Sequence, residues 1–380
     1  MRSLDTARET SERYHPGLVK ALAEIPYAER EAAGSPVIDL FRAHDGVALL
    51  VPVAYGGHGA DPLDAVRVQR ALGALSPSLA AAVTMHHFTA AMLYALADDD
   101  TGRLTEAQLS LLHSVVPEQR LMASGWAEGR TQQNILTPAV TAVAVKGGYR
   151  LNGSKKPCSL AGSMDLLTAS IAVPGAGGEP ELALALIPAA SPGLTVHPFW
   201  GNDVLAAAES DEIQLADVFV PEDLVVRTSE EDPHRIEDLQ NAGFVWFELL
   251  ISAGYLGAAS GLVEHVLQRG RGSVGDRTDA AIRIEAAAGL LEGTARAVRD
   301  GVGGEEAVAQ VLVARFAAQE ALNRAADQAL ELLGGLDFIR SADHAKQAVA
   351  VRPLAFHPPS RASAAEALLA YFNGEPLDLS

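Results

Sequence analysis

The hydrophobic period of this chain changes twice, and that double change constrains the fold more than any single motif. From Leu4 to about Val115 apolar residues recur at helical spacing, punctuated by Pro16, Pro26, Pro36, Pro52, Pro62 and Pro77. Between about Leu121 and Val226 short β-branched stretches alternate with turn residues at intervals of roughly ten positions. Beyond about Asp232 the helical period returns in long segments near 236–269, 278–299 and 305–333. The pattern predicts an α+β chain in three parts: an N-terminal α-helical domain over 1–120, a middle β domain over 121–230 and a C-terminal bundle of long helices over 231–380. No internal repeat is visible.

Local signals sharpen this outline. Asp61 before Pro62 reads as an N-cap followed by proline at the first helical position, with the helix running to about Leu75. Gly56, Gly57 and Gly59 form a turn just ahead of it. In the β region, Ala139 to Val145 pairs with Tyr149 to Asn152 as a hairpin through Lys146, Gly147 and Gly148. Further strands are expected at Leu166 to Val173, Leu182 to Ile187, Leu194 to Phe199 and Glu212 to Leu215, with Pro174 to Pro180 as a surface loop.

Composition narrows the function. Only 5% of residues are aromatic, so Leu, Ala and Val must fill the core, which suits closely packed helices. The net charge of −19, from 29 basic and 48 acidic residues with no basic patch, repels phosphate backbones and anionic lipid. Neither nucleic acid nor a membrane is therefore expected as a partner. The single Cys158 excludes an internal disulfide. No uninterrupted apolar stretch reaches the roughly 20 residues of a membrane span, and the expected location is the cytoplasm. Eleven histidines form no metal-ligand pair at standard spacing except adjacent His86 and His87, and no Gly-x-Ser-x-Gly elbow is present. Gly270-Arg-Gly-Ser-Val-Gly275 fits the dinucleotide fingerprint literally, but helix rather than strand precedes it, so it is discarded.

Four short runs, in order along essentially the whole chain, carry a family resemblance. They are Gly46 to Pro52 followed by Tyr55-Gly-Gly-His-Gly59, Ser76-Pro-Ser-Leu-Ala80, Gly148-Tyr-Arg-Leu-Asn-Gly-Ser-Lys155, and Leu333-Gly-Gly335. Together they resemble the acyl-CoA dehydrogenase superfamily. The resemblance implies that fold, with a β-barrel-like middle domain, bound FAD or FMN, and a homodimer or homotetramer. It places the flavin ring against Ser124-Gly-Trp126 and Lys155 to Ser159, with Ser159 donating to the ring edge and Trp126 bordering the ring or the substrate. It places Arg271 on the flavin diphosphate of a neighbouring subunit, and Gly334 and Gly335 near the adenine end. Glu331 and Asp337 put negative charge where that diphosphate would come near.

Two chemistries remain within the resemblance. An acyl-thioester dehydrogenase needs a carboxylate base. The usual one is absent, since the segment reads Arg352-Pro-Leu-Ala-Phe-His357-Pro-Pro359, and Glu248 on the first long helix of the last domain is the remaining candidate. The ending His357-Pro-Pro-Ser-Arg361 and the run Ser78 to His86 resemble instead the two-component flavin monooxygenases of the dibenzothiophene-desulfurising type. Those enzymes work through a flavin C4a-hydroperoxide on a small organic substrate, with reduced flavin supplied by a separate reductase. Under that reading His86, Ser159 and His357 are the donors that hold the peroxide oxygens. A catalytically inert scaffold is the third reading.

Overall fold

The computed structural model describes residues 1–97, 102–129, 138–175, 179–230 and 232–379. Its first helices are α1 (Arg2–Tyr14), α2 (Leu18–Glu24), α3 (Tyr27–Arg30), α4 (Val37–Ala43), α5 (Pro62–Leu75), α6 (Pro77–Ala97) and α7 (Glu106–Ser114). Asp61 caps α5 as its spacing predicts, its carboxylate accepting from the Asp64 N–H at 2.9 Å.

Among the described residues eight strands follow: β1 (Met122–Gly125), β2 (Thr141–Val145), β3 (Gly148–Cys158), β4 (Leu166–Pro174), β5 (Pro180–Pro188), β6 (Leu194–His197), β7 (Asp211–Pro221) and β8 (Val225–Val226). They form one sheet in the order β6-β7-β3-β2-β4-β5-β8, with β1 added in parallel against β4. The hairpin is tighter than expected: Val145 pairs with Gly148, leaving Lys146 and Gly147 as the turn. Gly147 takes a φ of +83°, the reason a glycine stands there. Part of the expected loop between Pro174 and Pro180 lies outside the described residues.

The last part contains α8 (Arg235–Arg269), α9 (Val274–Arg299), α10 (Gly304–Leu333), α11 (Gly335–Arg340), α12 (Asp343–Val349) and α13 (Ala365–Phe372). Helix α9 begins four residues earlier than the apolar period indicates, because Ser273 and Asp276 form a reciprocal capping box. The Gly270 to Gly275 run is the break between α8 and α9, with Gly270 at a φ of +63°, so no strand-to-helix turn exists there. Helices α6 and α8 are apolar enough to cross a membrane by length and composition, contrary to the sequence expectation, but 83% and 78% of those windows are buried in the fold. Histidine, serine and glycine are tolerated within them because neighbouring helices satisfy or cover them.

Helix α8 is the spine. Its Gly254 and Gly257 meet α5 so closely that a Cβ on Gly73 would lie 2.0 Å from the Gly254 carbonyl oxygen. One continuous apolar core runs from Leu18 through the sheet to Leu368. Helix α6 lies against α8 on one side and touches β1 on the other, and this sandwich sets the geometry of the site.

Candidate active site

The end of the sheet presents two segments side by side. The backbone N–H of Lys156 donates to the carbonyl of Ala127 at 2.9 Å. The Lys155 side chain is fully buried and reaches Glu128 Oε1 at 2.5 Å and Ser170 Oγ at 2.9 Å. Glu128 in turn accepts from the Ala139 N–H at 2.8 Å. This buried ion pair ties the end of β1 to β3 and holds Trp126 and Ser159 on one framework.

That framework has spare donors. The indole Nε1 of Trp126 is buried without a partner among the described residues. Ser159 Oγ lies 2.9 Å from Ser210 Oγ, and two hydroxyls sharing one hydrogen bond leave one O–H proton unused. Buried donors are rarely left unmade in a folded protein, so this edge fits a planar acceptor such as the carbonyl and nitrogen edge of a flavin ring. Ser124 is buried within β1, in register with Thr168. Burial pushes the Cys158 thiol up to about 12, which makes it inert.

His86 does not supply a third free donor. It is fully buried, its Nε2 lies 3.0 Å from the Val47 carbonyl, and its Nδ1 accepts the Met122 N–H at 3.2 Å. Both nitrogens are therefore consumed by backbone. The ring bolts α6 to β1 and to the 3-10 turn Gly46–Ala48, and the expectation that it holds a ligand oxygen is corrected. Its neighbour His87 is buried with neither nitrogen bonded among the described residues, its ring edge-on to Phe41 at 5.6 Å.

Glu248 is likewise not an available base. Its Oε1 lies 2.6 Å from Arg315 Nη1, with both side chains fully buried. Burial raises its carboxyl to about 7, and the nearby guanidinium opposes the rise. The second carboxylate oxygen has no partner among the described residues. Arg315 also donates through Nη2 to the carbonyls of Leu354, at 3.2 Å, and His357, and it therefore anchors the segment that carries His357.

His357 is the one histidine of the expected trio whose ring keeps a nitrogen with no partner among the described residues. Its Nε2 lies 3.0 Å from the Tyr255 hydroxyl, and Phe247 packs edge-on to it at 5.5 Å, with Phe88 edge-on to Phe247 at 5.5 Å. Burial, reinforced by the Arg315 charge, lowers its pKa to about 3, so the ring is neutral at physiological pH.

The outer positions differ from expectation in detail. Arg271 is exposed on the break between α8 and α9. Gly334, at a φ of +83°, stops α10, and a Cβ on Gly334 or Gly335 would meet nothing within 4 Å in this chain. Asp337 is not a bare negative charge: it pairs with Arg269 and accepts from His344 at 2.6 Å. Its expected opposition to a diphosphate is corrected, because the charge is already compensated. Two open clefts of about 350 and 400 Å³ lie elsewhere, one along Leu267, Val274 and Ile282, the other along Gly293, Val313 and Phe372.

Tyr255, Arg315 and Ser210 were not found from sequence. One signal was present: a lone arginine in Val311-Leu-Val-Ala-Arg-Phe-Ala-Ala318 and a lone glutamate in Val245-Trp-Phe-Glu-Leu-Leu250 each imply a buried charge that needs a partner.

The neutral histidines make a testable statement about stability. Burial lowers His15 and His86 to about 4 from 6.5. A depressed folded pKa means that the unfolded chain binds the proton first, so this stability is present above 6.5 and is lost as pH falls toward 4. Each contributes about 3 kcal/mol across that window. Chemical denaturation at a series of pH values is expected to show stability falling steeply from pH 6.5 to 4. A flat profile there would refute the neutral, buried assignment.

A sheet end with spare donors, and a neutral histidine whose segment is anchored by the arginine that pairs with Glu248, fit a flavin-dependent oxygenase on the acyl-CoA dehydrogenase fold. The chain is 61% identical, over 100% of both sequences, to isobutylamine N-hydroxylase of Streptomyces viridifaciens. It is 28% identical to dibenzothiophene monooxygenase of Rhodococcus qingshengii, over 52% of this chain and 47% of that one. KijD3 in complex with FMN and a dTDP-sugar superposes with a TM-score of 0.83 at 20% identity, over 97% and 94% of the two chains. FMN-bound TdsC from Paenibacillus sp. A11-2 gives 0.80 at 18% identity, over 99% of each. No protein-family model matches the chain. The chain belongs to the flavin-dependent monooxygenases of the acyl-CoA dehydrogenase superfamily. The inert-scaffold reading falls with that assignment.

Proposed function

We propose that this enzyme N-hydroxylates a short aliphatic primary amine with reduced flavin and dioxygen. The end-to-end 61% identity to isobutylamine N-hydroxylase carries the reading. The site chemistry supports it. A primary amine attacks oxygen only as the neutral base, and a free carboxylate would hold it as ammonium. Glu248 is engaged by Arg315, and the wall formed by Phe88, Phe247 and neutral His357 is uncharged.

When bound, reduced FAD or FMN supplies two electrons and activates dioxygen. One oxygen atom enters the amine N–H bond to give the hydroxylamine, and the other leaves as water. Ser159, bonded to Ser210, and Trp126 would hold the ring edge, with Ser124 buried in the adjoining strand. His357 donates at the reacting side, where Phe88 and Phe247 exclude water. His86 keeps α6 and β1 in register.

The glycine-rich run Gly270 to Gly275 is a helix break, and the likeness to two-component flavin monooxygenases supports a separate reductase as the source of reduced flavin. The working form is a homodimer or homotetramer. Leu336, Phe338, Ile339 and Phe356 are 66%, 65%, 79% and 81% exposed, apolar area that another copy would cover. Exposed Arg271 would then hold the flavin diphosphate of a neighbouring subunit, near Gly334 and Gly335.

Purified protein supplied with photoreduced FAD or FMN, air and isobutylamine is expected to yield the hydroxylamine, carrying label from isotopically heavy dioxygen. Conversion of all oxygen to hydrogen peroxide, with no hydroxylamine from any short primary amine, would refute the substrate class.

A further inference from the structure

We propose that Tyr255 holds the His357 ring in the tautomer protonated on Nδ1, so that His357 presents a single N–H donor to the ligand of the site proposed above. The inference rests on the placement of His357 in the site proposed above and names the residue that sets its chemistry.

A neutral imidazole has one donor nitrogen and one acceptor nitrogen, and the partner of either one fixes the other. The Tyr255 hydroxyl is buried on α8, and its one hydrogen bond among the described residues runs to His357 Nε2 at 3.0 Å. That bond has two polarities. If Nε2–H donated, the hydroxyl proton of Tyr255 would be left buried with no acceptor, a cost of about 1–3 kcal/mol. If the hydroxyl donates, Nε2 is the acceptor, no proton is stranded, and the ring proton must sit on Nδ1. His357 Nδ1 has no partner among the described residues and is not among the buried unpaired atoms, so it is the nitrogen left for a ligand.

Two neighbours, Arg315 and Phe247, keep the ring from escaping this arrangement. Arg315 fixes the backbone of the segment through the carbonyls of Leu354 and His357. Phe247 packs edge-on to the ring at 5.5 Å, which limits rotation about the side chain. The Arg315 guanidinium disfavours the doubly protonated imidazolium, so the ring stays a neutral one-donor, one-acceptor group. Tyr255 is therefore a positioning residue: it does not touch substrate but decides which nitrogen carries the proton that does.

Nitrogen NMR of flavin-free protein labelled with 15N-histidine reads this directly, with the His357 signal identified by its loss in His357→Gln. The expected wild-type spectrum shows Nδ1 protonated and Nε2 bare. In Tyr255→Phe, which keeps the ring packing, both nitrogens are expected to move toward averaged values. With reduced flavin and amine, Tyr255→Phe is expected to lose roughly tenfold in kcat with KM for the amine within about twofold, and to divert more oxygen to hydrogen peroxide. A wild-type proton on Nε2, or a Tyr255→Phe spectrum identical to wild type, overturns the proposal. A tautomer change with unchanged turnover and peroxide yield overturns the role given to the N–H, and places the fault in the siting of His357. Loss of amine hydroxylation in the wild type concerns the substrate alone and leaves the spectrum as the deciding result.

Discussion

Arg315→Met is expected to lower stability by about 3–5 kcal/mol, because it strands the Glu248 carboxyl in the interior without its counter-charge. Roughly 4–6 °C of the melting temperature should go with it. The loss has a pH signature. Without the guanidinium, the folded pKa of Glu248 climbs further above its unfolded value, and a raised carboxyl contributes stability below the unfolded pKa that is lost as pH rises. The deficit of the variant is therefore expected to be larger at pH 8 than at pH 5. Adding Glu248→Leu should recover most of the loss, since an apolar pair of similar volume replaces the ion pair. Thermal melts of the two single variants and the double variant at both pH values decide the matter. A double variant no more stable than Arg315→Met would show that the two side chains do not act as a pair. Flavin-free protein suffices for these melts.

The second large effect concerns the spine. Gly73→Ala is expected to abolish the folded protein or to cost well over 3 kcal/mol, since overpacking against backbone has no soft way out. The added Cβ would stand 2.0 Å from the Gly254 carbonyl oxygen and 2.8 Å from its carbon. Gly257 is in the same position from the other side, with a Cβ 2.3 Å from the Arg70 carbonyl oxygen. Both belong to the α5–α8 crossing, and α8 carries Glu248 and Tyr255, so any separation of the helices moves the groups behind His357. Gly289→Ala on α9 is the control. Nothing lies within 4 Å of its added Cβ in this chain, and alanine in a helix is favoured by about 1 kcal/mol over glycine. Comparable soluble yield and melting temperature for Gly73→Ala and Gly289→Ala would refute the close-contact account.

Much of the fold was readable because its signals are local. Asp61 and Pro62 mark the start of α5 within adjacent residues, and the Lys146-Gly147 turn announces a hairpin within a dozen. The rejection of the Gly270 to Gly275 fingerprint needed only the helical period before it. The start of α9 was misplaced because a capping box is polar and leaves no mark on apolar spacing.

The site was readable only as a set of residue types. The family resemblance led to the expectation that Ser159, Trp126 and His357 stand near a flavin and that His86 and Glu248 are reactive. The structure showed the last two occupied: His86 by the Val47 carbonyl and the Met122 N–H, and Glu248 by Arg315. Those partners lie 39, 36 and 67 positions away in the chain.

By itself, then, the sequence determined which segments are helix and strand, which faces are apolar, and which polar side chains exist to be used. The tertiary structure alone decided which of those side chains are spent on holding the molecule together and which keep a free atom for chemistry. The physical reason is the reach of the forces involved. Helical period and capping act over a few residues, whereas a hydrogen bond is satisfied by whatever the fold brings within about 3 Å, and that neighbour leaves no trace in local sequence.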